Sequence, residues 1–174
     1  SIGIKISSTE GESIKDVLRD ANLAMSRARS EGTGRPRVFD PELRRSARDR
    51  MRMENGLKRA LSRQEFRLHY QPIVDLGSHR PIGLEALIRW QDPERGLVPP
   101  NQFLGIAEAC GLMIPLTEWV LSEACAQAKR WEDLPSAPIR IAINLPPVMI
   151  SSPDLIAKVT RAVDQHLISP AALT

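Results

Sequence analysis

Two charged residues lie inside a segment that otherwise has the composition of a buried strand. The segment is GLEALIRW (83–90), and the charges are Glu85 and Arg89. Side chains alternate across a strand, so both charges share one face with Leu87, while the other face is aliphatic and suited to packing on helices. The face with Glu85 is therefore the one available for chemistry.

The segment IRIAINL (139–145) repeats this design. Its isoleucines occupy one face, and Asn144 lies on the other face near the carboxyl end of the predicted strand. Two strands with a mixed face that ends in a hydrogen-bonding group indicate a (β/α) barrel, in which reactive groups lie at the carboxyl ends of the strands.

A buried Glu85 requires a cation, because an isolated charge in low dielectric is costly. Arg89 is roughly 13 Å away along the strand at about 3.3 Å per residue, too far for easy contact. Carboxylate and carboxamide oxygens without nearby His or Cys favour a hard ion such as Mg²⁺ or Mn²⁺. The alternative is that Glu85 pairs with a Lys or Arg elsewhere and Asn144 bonds a loop backbone. The strand pattern leaves both interpretations open.

Elements with helix and strand periodicity must position these residues. Strands at 66–76 and 82–90 are separated by a short turn and predict a hairpin. A proline-rich loop follows at 91–100, and the alternation of helices and strands beyond it predicts a parallel sheet covered by helices. The predicted helices span 14–29, 41–61, 101–110, 115–131 and 153–167, and further strands span 2–7 and 139–145.

Composition narrows the function classes. The 174 residues carry a net charge of +3 and no apolar run near the 18 or so residues of a membrane span. The two cysteines lack metal-site or CxxC spacing, which indicates thiols in a reducing cytoplasm. The basic stretch 44–52 lacks interleaved aromatics, so a solvated helix face is favoured over nucleic-acid binding. Its helix suits a connector or a dimer contact.

Several motifs in order resemble the first half of the EAL domain, named for the triplet at 85–87. They are YQPIVDL, GLEALIRW, DPERGLVPPNQF, AEACGLMIPLTEWVLSEAC and INLP, spread over 66–167. Upstream, SIGIKIS, VLRDANLAM and RVFDPELR resemble the end of a GGDEF domain. The resemblance implies a GGDEF remnant at 1–39, a linker helix at 40–64 and the N-terminal part of an EAL domain at 65–174. The implied α/β fold is an incomplete (β/α)8 TIM-type barrel with an antiparallel first strand.

The resemblance also implies a phosphodiesterase that opens cyclic di-GMP (c-di-GMP) to linear pGpG with two divalent ions. By motif, Glu85 and Asn144 are metal ligands, and Gln71 and Arg89 bind the substrate. Leu87 and Pro99 are expected to line a guanine pocket.

Two departures from the family pattern affect this expectation. Pro146 stands where the family usually has Ser, and the sequence reaches Thr174 before the family's remaining acidic ligands and lysine. We therefore expect a fragment that lacks turnover. The alternative is a non-catalytic module that binds c-di-GMP or dimerises, with a homodimer formed through the EAL part or the linker helix.

Overall fold

The computed structural model describes residues 1–7, 12–32, 34–132 and 139–174. The chain forms two compact units, Ser1–Met53 and Glu54–Thr174. Across these described ranges, no helix combines the length and the apolar character needed to cross a membrane. In chain order the elements are β1 (Gly3–Ile4), α1 (Ile14–Glu31), β2 (Arg37–Val38), α2 (Pro41–Ala60), β3 (Phe66–Val74), β4 (Pro81–Asp92), β5 (Gly96–Val98), α3 (Pro100–Ala109), α4 (Met113–Trp131), β6 (Ile141–Ile143), α5 (Pro147–Ile150) and α6 (Leu155–His166), followed by a 3-10 turn at Pro170–Ala172.

In the first unit, α1 packs on a parallel pair formed by β1 and β2. Gly3 approaches α1 so closely that a Cβ there would lie 2.2 Å from the carbonyl oxygen of Ala21, so only glycine permits this contact. The fully buried carboxylate of Asp20 accepts hydrogen bonds from Arg44, with 3.2 Å between Oδ1 and Nε. This paired charge joins α1 to the start of α2, because a buried carboxylate requires such a partner.

In the second unit, β4 is the central strand. It is antiparallel to β3 and parallel to β6, so the predicted hairpin and the predicted parallel pairing are both present. Leu173 forms a parallel bridge with Ile141, and the backbone N–H of Thr174 donates to the carbonyl oxygen of Ile141 at 2.9 Å. The chain therefore extends the sheet in parallel beside β6.

Three elements, β2, β5 and α5, differ from the sequence-based expectation. The segment 91–100 was predicted as a loop, but β5 pairs antiparallel with the end of β4, so that prediction was wrong. The side chain of Asp92 accepts hydrogen bonds of 2.8 Å from the backbone N–H groups of Glu94 and Arg95, and Gly96 adopts a φ of 72°. These contacts turn the chain back along β4. The short helix α5 was also not predicted.

Helices α4 and α6 cover one face of this sheet. The apolar core lies between these helices and the sheet. The end of α2 packs on the same unit, where Trp90 of β4 is fully buried and its indole N–H donates to Glu65 at 3.0 Å. A Cβ at Gly56 would lie 2.9 Å from Cη2 of Trp90. The apolar core comprises Ala86, Leu121, Ala124, Cys125, Ala128, Ile141, Met149, Ala162, Val163 and Ile168.

The Gly56 contact predicts an unusual response to a helix-favouring substitution. Alanine normally stabilises a helix by about 1 kcal/mol over glycine. We expect Gly56→Ala instead to lower the free energy of unfolding by about 1 kcal/mol, because the methyl group overpacks against Trp90. Urea unfolding followed by tryptophan fluorescence measures this change.

Gly105→Ala is the matched control. Gly105 lies within α3, and a Cβ there would meet no atom within 4 Å. We expect this variant to be more stable than the parent by about 0.5–1 kcal/mol. Equal stabilisation by both substitutions would contradict the packing of α2 on Trp90.

Candidate functional site

The face of β4 that carries Glu85 is the one turned away from the helices. Ala86 and Ile141 are buried in the core, so their neighbours Glu85 and Ala142 point to the opposite face. The strand register places Gln71 of β3 directly across from Glu85, and Ala142 of β6 beside it. Three neighbouring strands thus present one common face, with the half-buried Glu85 in the middle.

Glu85 and Asn144 are in contact on this face. The side-chain Nδ2 of Asn144 donates a hydrogen bond of 2.6 Å to Oε1 of Glu85. Asn144 directly follows β6, and the parallel register with β4 brings the two side chains together. The two side chains are therefore neighbours, as ligands of one ion would have to be. In the described ranges, Glu85 forms no ion pair with a Lys or Arg, so the alternative pairing is absent there.

The side chains of Glu85 and Asn144 carry the carboxylate and carboxamide oxygens that hard divalent cations bind. Rotation of the Asn144 amide by half a turn exchanges its nitrogen and oxygen and would place an oxygen beside the carboxylate of Glu85. Over the described part of the chain, no three His, Cys, Asp or Glu side chains are grouped closely enough to hold a metal ion. A divalent ion of this type takes about six ligands, so the pair supplies only part of a set. Their role as ligands stays a prediction.

Arg89 lies further along the same face of β4. Its Nη1 donates to the carbonyl oxygen of Ile88 at 2.8 Å, and it forms no ion pair with any carboxylate that the structure describes. Glu85 and Arg89 are therefore not paired, as the distance argument predicts. The guanidinium retains further N–H donors that an anion could accept.

A cavity of about 270 Å³ lies beside Asn144. Leu87 lines it together with Pro100 and Leu104 of α3. Ala86 and four residues of α4 also line it, so much of the cavity lies on the side of the sheet that the helices cover. The role of Leu87 in binding guanine stays a prediction.

Pro99 precedes α3 and is not among the residues described as lining the cavity. Pro100 and Leu104 were not predicted to line a cavity. Their i, i+4 spacing could have indicated it, because such residues share one face of a helix.

Sequence analysis also missed Arg67. The register of β3 and β4 places it directly opposite Arg89, on the face that carries Glu85. The sequence alone could have placed Arg67 only after the hairpin register was known. If Gln71 is opposite Glu85 in an antiparallel pair, then Arg67 must be opposite Arg89.

Tyr70 marks the opposite face of β3. Its ring packs edge to face on Trp131 with 4.8 Å between centroids, and its buried hydroxyl has no hydrogen-bond partner in the described ranges. Burial raises the pKa of Tyr70 to about 12, and the negative charge of Glu123 acts in the same direction. Because Gln71 follows Tyr70, this burial supports the placement of Gln71 on the face with Glu85.

These features define an α/β domain with helices on one side of its sheet and a polar site on the other. A sequence model of the EAL domain matches residues 54–174, and the chain belongs to the EAL-domain family. The resemblance seen in the sequence motifs is thereby confirmed for this part of the chain.

Curated and solved relatives agree with this assignment. The bifunctional diguanylate cyclase/cyclic di-GMP phosphodiesterase MucR of Pseudomonas aeruginosa is 35% identical over 173 residues, which cover 99% of this chain and 25% of MucR. The cyclic di-GMP phosphodiesterase PdeR of Escherichia coli is 38% identical over 146 residues, or 83% of this chain and 22% of PdeR. The chain thus spans about a quarter of the length of these curated relatives.

The solved PaMucR phosphodiesterase, in complex with c-di-GMP, has the same fold. It aligns with a TM-score of 0.67 and 40% identity over 70% of this chain and 49% of that chain. The prediction of an α/β fold related to EAL domains is therefore confirmed.

Titration of the single tyrosine tests the assignment of faces. We expect ultraviolet absorbance after a rapid pH jump to give a midpoint at about 12 for the folded chain, against 10.0 for an unperturbed tyrosine. The unfolded chain loses this proton first, so the stability contribution is complete below pH 10 and declines as the pH rises from about 10 to about 12.

Trp131→Ala is the informative variant for this titration. It removes the ring that covers Tyr70, so we expect the folded midpoint to move towards 10. A midpoint near 10 in the unmodified folded chain would show that Tyr70 is solvated and that the two faces of β3 are wrongly assigned.

Proposed function

We propose that the unit Glu54–Thr174 binds c-di-GMP and contributes Glu85 and Asn144 to a phosphodiesterase site that produces linear pGpG. The observation that carries this proposal is the 2.6 Å contact between Glu85 and Asn144, on the face that also holds Gln71 and Arg89. Membership of the EAL-domain family and the c-di-GMP complex of PaMucR support the choice of ligand.

Each side chain has a role that follows from its chemistry. Glu85 and Asn144 would hold a divalent ion, Mg²⁺ or Mn²⁺, through their oxygens. Such ions, when bound, supply an activated water and neutralise charge on the phosphate. Arg89 would donate to a phosphate oxygen, because a guanidinium forms strong charge-assisted hydrogen bonds with phosphate. Gln71, directly across from Glu85, would hydrogen-bond the dinucleotide beside the ion.

The cavity beside Asn144 is the proposed guanine pocket. Leu87 and Pro100 form part of its wall, and Pro99 fixes the start of α3 next to it. Ligand pockets of this kind combine a mainly apolar lining with a few polar groups, which here include Asn144.

The proposed domain organisation follows from the same comparisons. Residues 1–39 would be the end of a GGDEF domain, 40–64 a linker helix and 65–174 the N-terminal part of an EAL barrel. The match to the bifunctional protein MucR over 99% of the chain supports the upstream assignment. The parallel pairing of Leu173 beside β6 supports continuation into further barrel strands. A cytoplasmic location and a homodimer through α2 or the EAL part belong to the same proposal.

One observation favours a second candidate, a module that binds c-di-GMP without turnover. Within the described ranges, Glu85 belongs to no group of three His, Cys, Asp or Glu side chains that could hold a metal ion. Turnover would then require metal ligands in addition to these two side chains.

Metal binding can be tested at the proposed ligand. We expect Glu85→Gln to weaken Mn²⁺ binding to the 174-residue chain about tenfold, equivalent to about 1.4 kcal/mol, because the carboxylate is the charged ligand. Electron paramagnetic resonance of free Mn²⁺ measures this affinity. Glu108→Gln removes the same charge from an exposed position on α3 and should leave it unchanged. Equal losses in the two variants would rule out Glu85 as a ligand.

Ligand binding and turnover separate the two candidate functions. We expect equilibrium dialysis to detect c-di-GMP binding by this chain, and Arg89→Gln to weaken it about tenfold through the loss of a charge-assisted bond. Chromatography should detect no pGpG. Metal-dependent pGpG formation by this chain would refute the non-catalytic candidate, and absence of c-di-GMP binding would refute both.

A further inference from the structure

Two arginines face each other across the first two strands of the second unit. Arg67 of β3 is directly opposite Arg89 of β4, on the face that carries Glu85. Opposed residues in an antiparallel pair have Cβ atoms about 4.5–5.5 Å apart, and like charges in this position are destabilising. Such a pair is favourable only when something negative lies between or beside the two groups.

Within the described ranges, no carboxylate is paired with either of these arginines. Glu123 of α4 lines a cavity together with Arg67, but its carboxylate pairs with Arg130 at 3.0 Å. Nη1 of Arg67 donates to the carbonyl oxygens of Gln64 and Phe66, both at 2.6 Å, and Nη1 of Arg89 donates to the carbonyl oxygen of Ile88. A guanidinium has five N–H donors on three nitrogens, so each side chain keeps donors for an external acceptor.

We propose that Arg67 is a second phosphate-binding residue, which acts with Arg89 on a ligand that carries two phosphate groups. The identity of that ligand as c-di-GMP rests on the proposed function, whereas the anion site rests on the strand register alone. In a cyclic dinucleotide the two phosphodiesters lie on opposite sides of one ring, so one arginine can bind each of them.

The present contacts of Arg67 are compatible with this role. Its side chain is exposed and bonded to neutral carbonyl groups near the start of β3. Bonds between a guanidinium and phosphate are charge-assisted and roughly twice as strong as neutral ones. A phosphate can therefore replace those contacts, and it also removes the repulsion between the two arginines.

The test uses pyrophosphate, which has two phosphate groups and no nucleoside. We expect pyrophosphate to shift the side-chain Nε–H resonances of both Arg67 and Arg89 in nitrogen-15 spectra of the 174-residue chain. Arg67→Gln and Arg89→Gln should each weaken pyrophosphate binding about tenfold. Arg67→Lys retains the charge without the fork and should recover part of the affinity. Arg161→Gln, an exposed charge on α6, is the matched control and should change affinity less than twofold.

Stability separates loss of binding from loss of folding. Because Arg67→Gln removes a like-charge pair, we expect its thermal midpoint to equal or exceed that of the parent. A clear drop in that midpoint would argue for a structural role and against the proposal.

A parallel titration with c-di-GMP distinguishes the two levels of inference. Binding of c-di-GMP that weakens in both Arg67→Gln and Arg89→Gln supports the shared site. If pyrophosphate binding depends on both arginines and c-di-GMP does not bind, the proposed function fails and the anion site stands. If c-di-GMP binding depends on Arg89 and neither ligand responds to Arg67→Gln, the role of Arg67 is overturned and the proposed function stands.

Discussion

The backbone pairing of β4 with β6 is the interaction on which the candidate site depends. It aligns Glu85 with Ala142 and, one residue later, Ala86 with Ile143. A slip of one residue would exchange the two faces of a strand and turn Glu85 into the apolar core, where an unpaired carboxylate is very costly. The burial of Ala86 and Ile141 therefore fixes the position of the polar side chains on the other face.

One face of the sheet packs in the apolar core, and the opposite face carries the residues of the candidate site. The face towards α4 and α6 contains the apolar core, so it can hold the strands rigidly without help from Glu85 or Asn144. Further along β4, Trp90 is fixed by the close approach of Gly56 and by its bond to Glu65. Since Arg89 directly precedes Trp90, the packing of α2 on Trp90 also fixes the backbone position from which the Arg89 side chain extends. Sites built on such rigid strands are positioned more accurately than sites on loops.

Alternation along single strands could be predicted from the sequence, and pairing between strands only in part. The pattern of 82–90 was sufficient to place Glu85 opposite the aliphatic face. It could not show that Arg67 faces Arg89, because this depends on the length of the turn that sets the hairpin register. The bond from Asn144 to Glu85 joins residues 59 positions apart, so no local pattern contains its distance. Strand β5 has three residues, too few for periodicity, and depends on side-chain bonds from Asp92.

Pro146 and Pro147 follow β6, and Pro146 stands where the family usually has Ser. These two prolines explain how Asn144 keeps its position despite that departure. A residue that precedes proline is restricted to extended backbone, so Leu145 continues the direction of β6 beyond Asn144. Pro146 then precedes α5 with φ −70° and ψ 152°, and Pro147 occupies the first helical turn, where its missing N–H has no cost. The short helix buries Met149 completely in the core. Asn144 is thus held between a paired strand and an anchored helix, which limits the freedom of its amide before any ligand binds.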